Sequence, residues 1–98
     1  MNRDQAIALI KRIEPAIRAM GVTALYLFGS TARNEAQPTS DVDIFFERDL
    51  TRKFSFIELG RMERLLEGAL ETKVDLAPRE CLHPVLKADI ERSAIRVL

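Results

Sequence analysis

The chain has 98 residues, 47% of them hydrophobic and 31% charged, which predicts one globular domain over residues 1–98 with a single core. Fifteen Lys plus Arg balance fifteen Asp plus Glu, so nothing in the charge points to an extended nucleic-acid surface or to membrane binding, and any phosphate must be handled locally. A single cysteine, Cys81, rules out an internal disulfide and a Cys-rich zinc site and fits a reducing cytoplasm.

The first residues, MNRDQAIALIKRIEP, break their apolar positions with charges, so no signal peptide is read there. No stretch approaches the roughly 20 apolar residues of a membrane span. Residues 3–20 read instead as an amphipathic helix. Ala6, Ile10, Ile13, Ile17 and Met20 recur at steps of three and four. Pro15 should kink or divide it, and Gly21 should stop it. The run VTALYLFG is almost wholly apolar and suits a strand buried on both faces. A short helix is expected from near Ser30, then a loop through Pro38, then a second strand over residues 41–47. RDLTRK reads as a solvated loop. SFIE is a capping-box pattern, with Ser55 as N-cap and Glu58 three residues on. The helix it opens should run to about Leu70 and bury Leu59, Met62, Leu66 and Ala69 or Leu70. KVDLA is a third strand. Pro84 suits the first turn of a last helix over 84–92, with Val85, Leu86 and Ile90 inward, and the tail AIRVL should pack back on the body. The order predicts a small mixed α/β domain with helices covering one sheet.

Charges inside the second strand need a reason, because an unpartnered buried polar group costs about 2–7 kcal/mol. Alternation places Asp41, Asp43 and Phe45 on one face and Val42, Ile44 and Phe46 on the other. In KVDLA, Asp75 likewise opposes Val74 and Leu76. Three carboxylates converge if the two strands are adjacent, and hard oxygens of this kind suit Mg²⁺, two ions being within the capacity of three carboxylates. Gly29 and Ser30, where a strand gives way to a helix, offer backbone N–H groups and a hydroxyl to an anion, and Arg33 lies one turn further on. Each piece alone has a plain structural explanation: a turn, a cap, an edge-strand charge, a solvated arginine. In this order and spacing they read as a nucleotide site.

With Gly29-Ser30, Arg33, Ser40-Asp41-Val42-Asp43 and Asp75 in place, the chain resembles the minimal nucleotidyltransferase family of the DNA polymerase β-like superfamily. The motif spans residues 28–47, and the element order matches along nearly the whole chain. The resemblance implies the mixed-sheet nucleotidyltransferase fold, Mg²⁺ and ATP. It implies that Asp41, Asp43 and Asp75 form the catalytic and metal-binding set, with Asp75 helping to activate the acceptor hydroxyl. Gly29, Ser30, Arg33 and Ser40 would serve the nucleotide. It further implies pairing with a HEPN-domain toxin in a hetero-oligomer, this chain being the antitoxin that transfers AMP to a tyrosine of its partner. Neutralisation by occlusion alone, or transfer to a small molecule or RNA end, are the alternatives; neutral charge and short length count against RNA.

Overall fold

A computed structural model describes residues 1–37 and 39–98; Pro38, expected to close the loop before the second strand, lies outside the described residues. The N-terminal helical segment is divided, as Pro15 requires. Helix α1 covers Arg3–Arg12 and α2 covers Glu14–Ala19. Pro15 falls in the first turn of α2, where its missing N–H leaves no bond unmade. Asn2 caps α1: its side chain accepts from Gln5 N (2.8 Å), and the Gln5 side chain accepts from Asn2 N (3.0 Å). Gly21 then reverses the chain at φ +95°, a conformation other residues adopt only with strain.

Strand β1 (Val22–Phe28) leads directly into the short helix α3 (Gly29–Ala32), and β2 covers Val42–Arg48. Helix α4 (Phe56–Leu70) begins at the expected capping box: Ser55 Oγ accepts from Ile57 N at 3.2 Å, and the Glu58 carboxylate accepts from Ser55 N at 2.7 Å. Removing the cap with Ser55→Ala should cost about 1 kcal/mol. In a domain of this size that lowers the melting temperature by roughly 4–8 °C. A thermal melt followed by circular dichroism checks it, and an unchanged midpoint would show that packing alone holds this helix end.

Strand β3 (Val74–Pro78) is followed by a 3₁₀ turn (Arg79–Cys81), helix α5 (Lys87–Ser93) and a two-residue strand β4 (Ile95–Arg96). The sheet is ordered β3-β2-β1-β4. β1 is antiparallel to both β2 and β4, while β2 and β3 run parallel. The mixed sheet follows from the connections: the turn-rich segment between β1 and β2 allows reversal, whereas α4 supplies the crossover that a parallel pair needs.

One sheet face carries the core. Leu25 and Leu27 of β1, Val42, Ile44 and Phe46 of β2, and Val74 and Leu76 of β3 pack against Ala6 and Ile10 of α1, Ile17 of α2, and Met62, Leu66 and Leu70 of α4. The other face is only partly covered. β1 was expected to be buried on both sides, yet Tyr26 and Phe28 are half-buried and Thr23 is exposed. The apolar run suggests a two-sided strand because Tyr26 and Phe28 are aromatic, yet on this face they pack against Phe45 and stay half-exposed.

The last helix also departs from expectation. It begins at Lys87 rather than Pro84, and Val85 and Leu86 are 78% and 52% exposed. Residues 83–86 form a turn instead, in which Leu86 N donates to His83 O (3.0 Å) and Val85 N to His83 Nδ1 (3.2 Å). Within α5 the half-buried residues are Lys87, Ile90, which is inward as expected, and Glu91, which pairs with Arg79 at 3.1 Å. The tail does pack back: Val97 N donates to Leu25 O at 2.7 Å, and Val97 and Leu98 are buried. Its strand character was not anticipated, since two residues give no readable alternation.

Candidate active site

The partly open face is where the charged residues collect. Phe28 of β1 pairs with Asp43 of β2, and Asp43 pairs with Asp75 of β3, so these three residues form one row across the sheet. In the next row Tyr26 pairs with Phe45, and Phe45 with Ala77. The two strands that carry the carboxylates are therefore neighbours in register, which is the condition for convergence. Asp41 stands one residue ahead of β2 and is exposed, as is Asp75, whereas Asp43 is half-buried.

Asp43 reports the electrostatics of the row. Burial first, then the charges of Asp75 and Asp41, push its carboxyl above the usual carboxylate range, and Arg33 partly offsets them. Asp75 and Asp41 are thus both near enough to act on Asp43, as is the Arg33 cation. Arg33 itself is exposed and pairs with Glu35 at 3.3 Å, so the Glu35 carboxylate competes with any phosphate it would bind.

Gly29 is required here for a reason the sequence did not disclose. It sits at φ +69°, and a Cβ at that position would overlap Asp43 Oδ2 and lie 3.1 Å from Asp43 Cγ. The space that glycine leaves is thus filled by the Asp43 carboxylate, against which the first turn of α3 is pressed. Gly29→Ala must displace that carboxylate and also adopt a left-handed backbone, which costs roughly 1–2 kcal/mol. Because displacements of about 1 Å in an active site can cost on the order of 10²-fold in rate, transfer should fall by about that much. Steady-state kinetics on Gly29→Ala test this, and wild-type kcat in a folded variant would show that Asp43 tolerates movement.

Ser30, in the first turn of α3, is half-buried, and its carbonyl accepts from Glu35 N at 2.8 Å. Ser40 is placed differently from the rest. Its hydroxyl accepts from Gln37 N at 3.0 Å, and it lines a cavity of about 730 Å³ together with Gln5, Arg12, Thr31 and Val42. Val42 points to the helix-covered face, so this cavity lies across the sheet from Asp43.

Among the described residues no three His, Cys, Asp or Glu side chains already converge closely enough to hold a metal ion. The donor chemistry nonetheless suits one. Asp41, Asp43 and Asp75 are hard oxygen donors, and a divalent cation would relieve the repulsion that the other two exert on Asp43. Asp43 and Asp75 are the pair that the sheet holds in register.

One cluster was not foreseen. The Arg79 guanidinium lies 5.7 Å from the Tyr26 ring centroid and 5.8 Å from that of Phe45, and those two rings stack at 4.7 Å. Arg79 also pairs with Glu47 and with Glu91, which raise its already high pKa further. The cluster covers the end of the open face remote from Asp43 and ties α5 to the sheet. The only trace of it in the sequence is that Glu47 shares its alternation with Asp43 and Phe45, and nothing there shows which cation answers it.

Comparison with known proteins gives the family and the fold. Residues 10–97 match the family model described as "Nucleotidyltransferase domain". A Methanocaldococcus jannaschii protein named "Putative protein adenylyltransferase MJ0435" is 38% identical over 88 residues, covering 90% of this chain and 92% of that protein. Among solved structures, a minimal nucleotidyltransferase superposes with a TM-score of 0.82 at 28% identity, covering 97% of this chain and 95% of the other. The fold is shared at 20% identity and a TM-score of 0.68, over 95% of this chain and 71% of the other, with a structure of a tri-AMPylated Shewanella oneidensis HEPN toxin in complex with MNT antitoxin. A Gly-Ser turn pressed against one of two carboxylates in register on a mixed sheet, and a family match over almost the whole length, make this chain a nucleotidyltransferase that belongs to the minimal nucleotidyltransferase group.

Proposed function

We propose that this chain is the antitoxin of a toxin–antitoxin pair, and that it transfers AMP from ATP to a tyrosine hydroxyl of a HEPN-domain partner with Mg²⁺ as cofactor. The observation that carries the reading is the register of Asp43 with Asp75, with Gly29 packed on Asp43. The names of the relatives support the acceptor class. Asp41 and Asp43 would hold the metal with the triphosphate, Asp75 completing the set. Mg²⁺, when bound, neutralises charge on the phosphates and on the leaving group. Gly29 and Ser30 would receive the triphosphate through backbone N–H groups and the serine hydroxyl, with Arg33 turning from Glu35 to the phosphates. Ser40 contributes by shaping the turn that delivers Asp41.

In the transfer step the phenolic oxygen attacks the α-phosphorus, forming a new O–P bond. The bond from that phosphorus to the bridging oxygen breaks, and pyrophosphate leaves with its electron pair. Asp75 takes the phenolic proton, and its exposure on the edge strand leaves it open to an acceptor brought by another molecule. No helix among the described residues is long and apolar enough to cross a membrane, and we place the reaction in the cytoplasm as a single-domain activity of a hetero-oligomer. Incubation with α-labelled ATP, Mg²⁺ and a HEPN-domain protein tests the reading. Label on a partner tyrosine that disappears with chelator is expected. Label on added RNA or on a small-molecule hydroxyl instead would overturn the acceptor assignment.

A further inference from the structure

Across the sheet from Asp43 lies the cavity of about 730 Å³ that Ser40 lines. Residues of α1, α3, the start of β2 and the C-terminal end of α4 surround it. Its size is that of a small-molecule pocket, about 300–1,000 Å³. Leu9, Val42 and Leu70 give it an apolar wall, and Thr31, Ser40 and Thr72 add hydroxyls. Thr31 is 1% exposed, and its hydroxyl has no hydrogen-bond partner among the described residues. A buried hydroxyl left unpaired is uncommon and calls for a partner from outside the fold. Ser40 Oγ accepts from Gln37 N at 3.0 Å, which leaves its own proton to donate.

The charged side chains of the lining are Arg12 and Glu71. Both are exposed, and neither forms an ion pair, with the other or with a third residue, among the described residues. These side chains therefore bring one charge of each sign to the cavity and no net charge.

We infer that this cavity binds a small zwitterion of the amino-acid class with a large apolar side chain. The ligand carboxylate meets Arg12, whose guanidinium can hold it by two parallel hydrogen bonds. The ammonium faces Glu71, and the apolar side chain lies against Leu9, Val42 and Leu70. A polar atom of the ligand then satisfies the Thr31 hydroxyl. A nucleotide fits poorly, because a phosphate brings about two negative charges to a single arginine and meets Glu71 as well. A purely apolar molecule leaves Thr31 unpaired. Water alone satisfies Thr31 but keeps the apolar wall wet. The inference goes beyond the transfer reaction, since no carboxylate of the active site lines the cavity.

The test is calorimetry with L-phenylalanine, and with two derivatives that each lack one charge. N-acetyl-L-phenylalanine has no ammonium, and L-phenylalanine amide has no carboxylate. The free amino acid should bind, and each derivative should bind at least about tenfold more weakly, as loss of a charge-assisted hydrogen bond requires. Arg12→Gln and Glu71→Gln should weaken L-phenylalanine by the same factor. Thr31→Val should weaken it too while raising the melting temperature of the empty protein, and circular dichroism melts confirm that all three variants fold. The inference fails if L-phenylalanine does not bind at millimolar concentration, or if the three compounds bind alike. It fails too if the variants bind L-phenylalanine as the parent does, or if AMP binds in its place and is lost in Arg12→Gln but kept in Asp43→Asn. Nucleotide transfer is read separately, so an empty cavity leaves the catalytic assignment standing, and loss of transfer leaves this site standing.

Discussion

Asp43→Asn is expected to lower nucleotidyl transfer by roughly 10²- to 10³-fold, the range for removing a principal electrostatic group, while making the metal-free protein more stable. The two effects have one cause. Asp43 is forced to be charged where burial and two other carboxylates oppose the charge, and a metal-bound nucleotide is what would compensate it. Asparagine has almost the same shape, so packing against Gly29 is kept while the charge is lost. The pH dependence follows by linkage. A carboxyl whose folded pKa is raised contributes most to stability when protonated, below its ordinary value near 3.8. That contribution is lost as pH rises through the raised folded value. The melting-temperature gain of Asp43→Asn over the parent should therefore be present at pH 7 in chelator and shrink toward pH 4. Saturating Mg²⁺ with ATP should reverse the order of the two melting temperatures. Transfer at the parent rate in Asp43→Asn would remove this residue from the metal set.

The second large effect is assigned to Asp75→Asn. Asp75 is exposed on the edge strand, so its replacement disturbs little packing and leaves Gly29, Ser30, Asp41 and Asp43 in place. Nucleotide binding should persist, and transfer should fall by roughly 10²- to 10⁴-fold, the usual range for losing a general base. Calorimetry with a non-hydrolysable ATP analogue and single-turnover labelling separate binding from chemistry. The same variant distinguishes modification from occlusion. When partner labelling and rescue of partner-expressing cells fail together while the two proteins still associate, modification is the mechanism. Rescue that survives without labelling, at equal protein levels, would sink the enzymatic reading of neutralisation.

Local sequence determined much of the fold. The division at Pro15, the stop at Gly21 and the capping box at Ser55 and Glu58 each depend on a residue and its near neighbours, and each is in the structure. Alternation assigned Asp43 and Asp75 opposite to the core-facing Val42, Ile44, Val74 and Leu76, because a strand permits only two faces. The elements of the site could be read in this way. Their meeting could not, since no local pattern says that β3 runs parallel beside β2 with Asp75 in register with Asp43.

Contacts distant in sequence decided the rest. The spacing of its apolar residues puts the last helix over 84–92, yet residues 83–86 fold as a turn that leaves Val85 and Leu86 in solvent, while Ile90 is half-buried as expected and Glu91 pairs with Arg79, twelve residues back. Ser40 belongs to the motif in sequence, but its turn directs it to the helix-covered side. Gly29 could be recognised as a glycine that must stay one, but the atom it makes room for, the Asp43 carboxylate, lies fourteen residues away along the chain. Composition, periodicity and caps act within a few residues and so are visible in sequence. Register, helix rotation and close approach arise when separate elements pack together, and only the tertiary structure determines them.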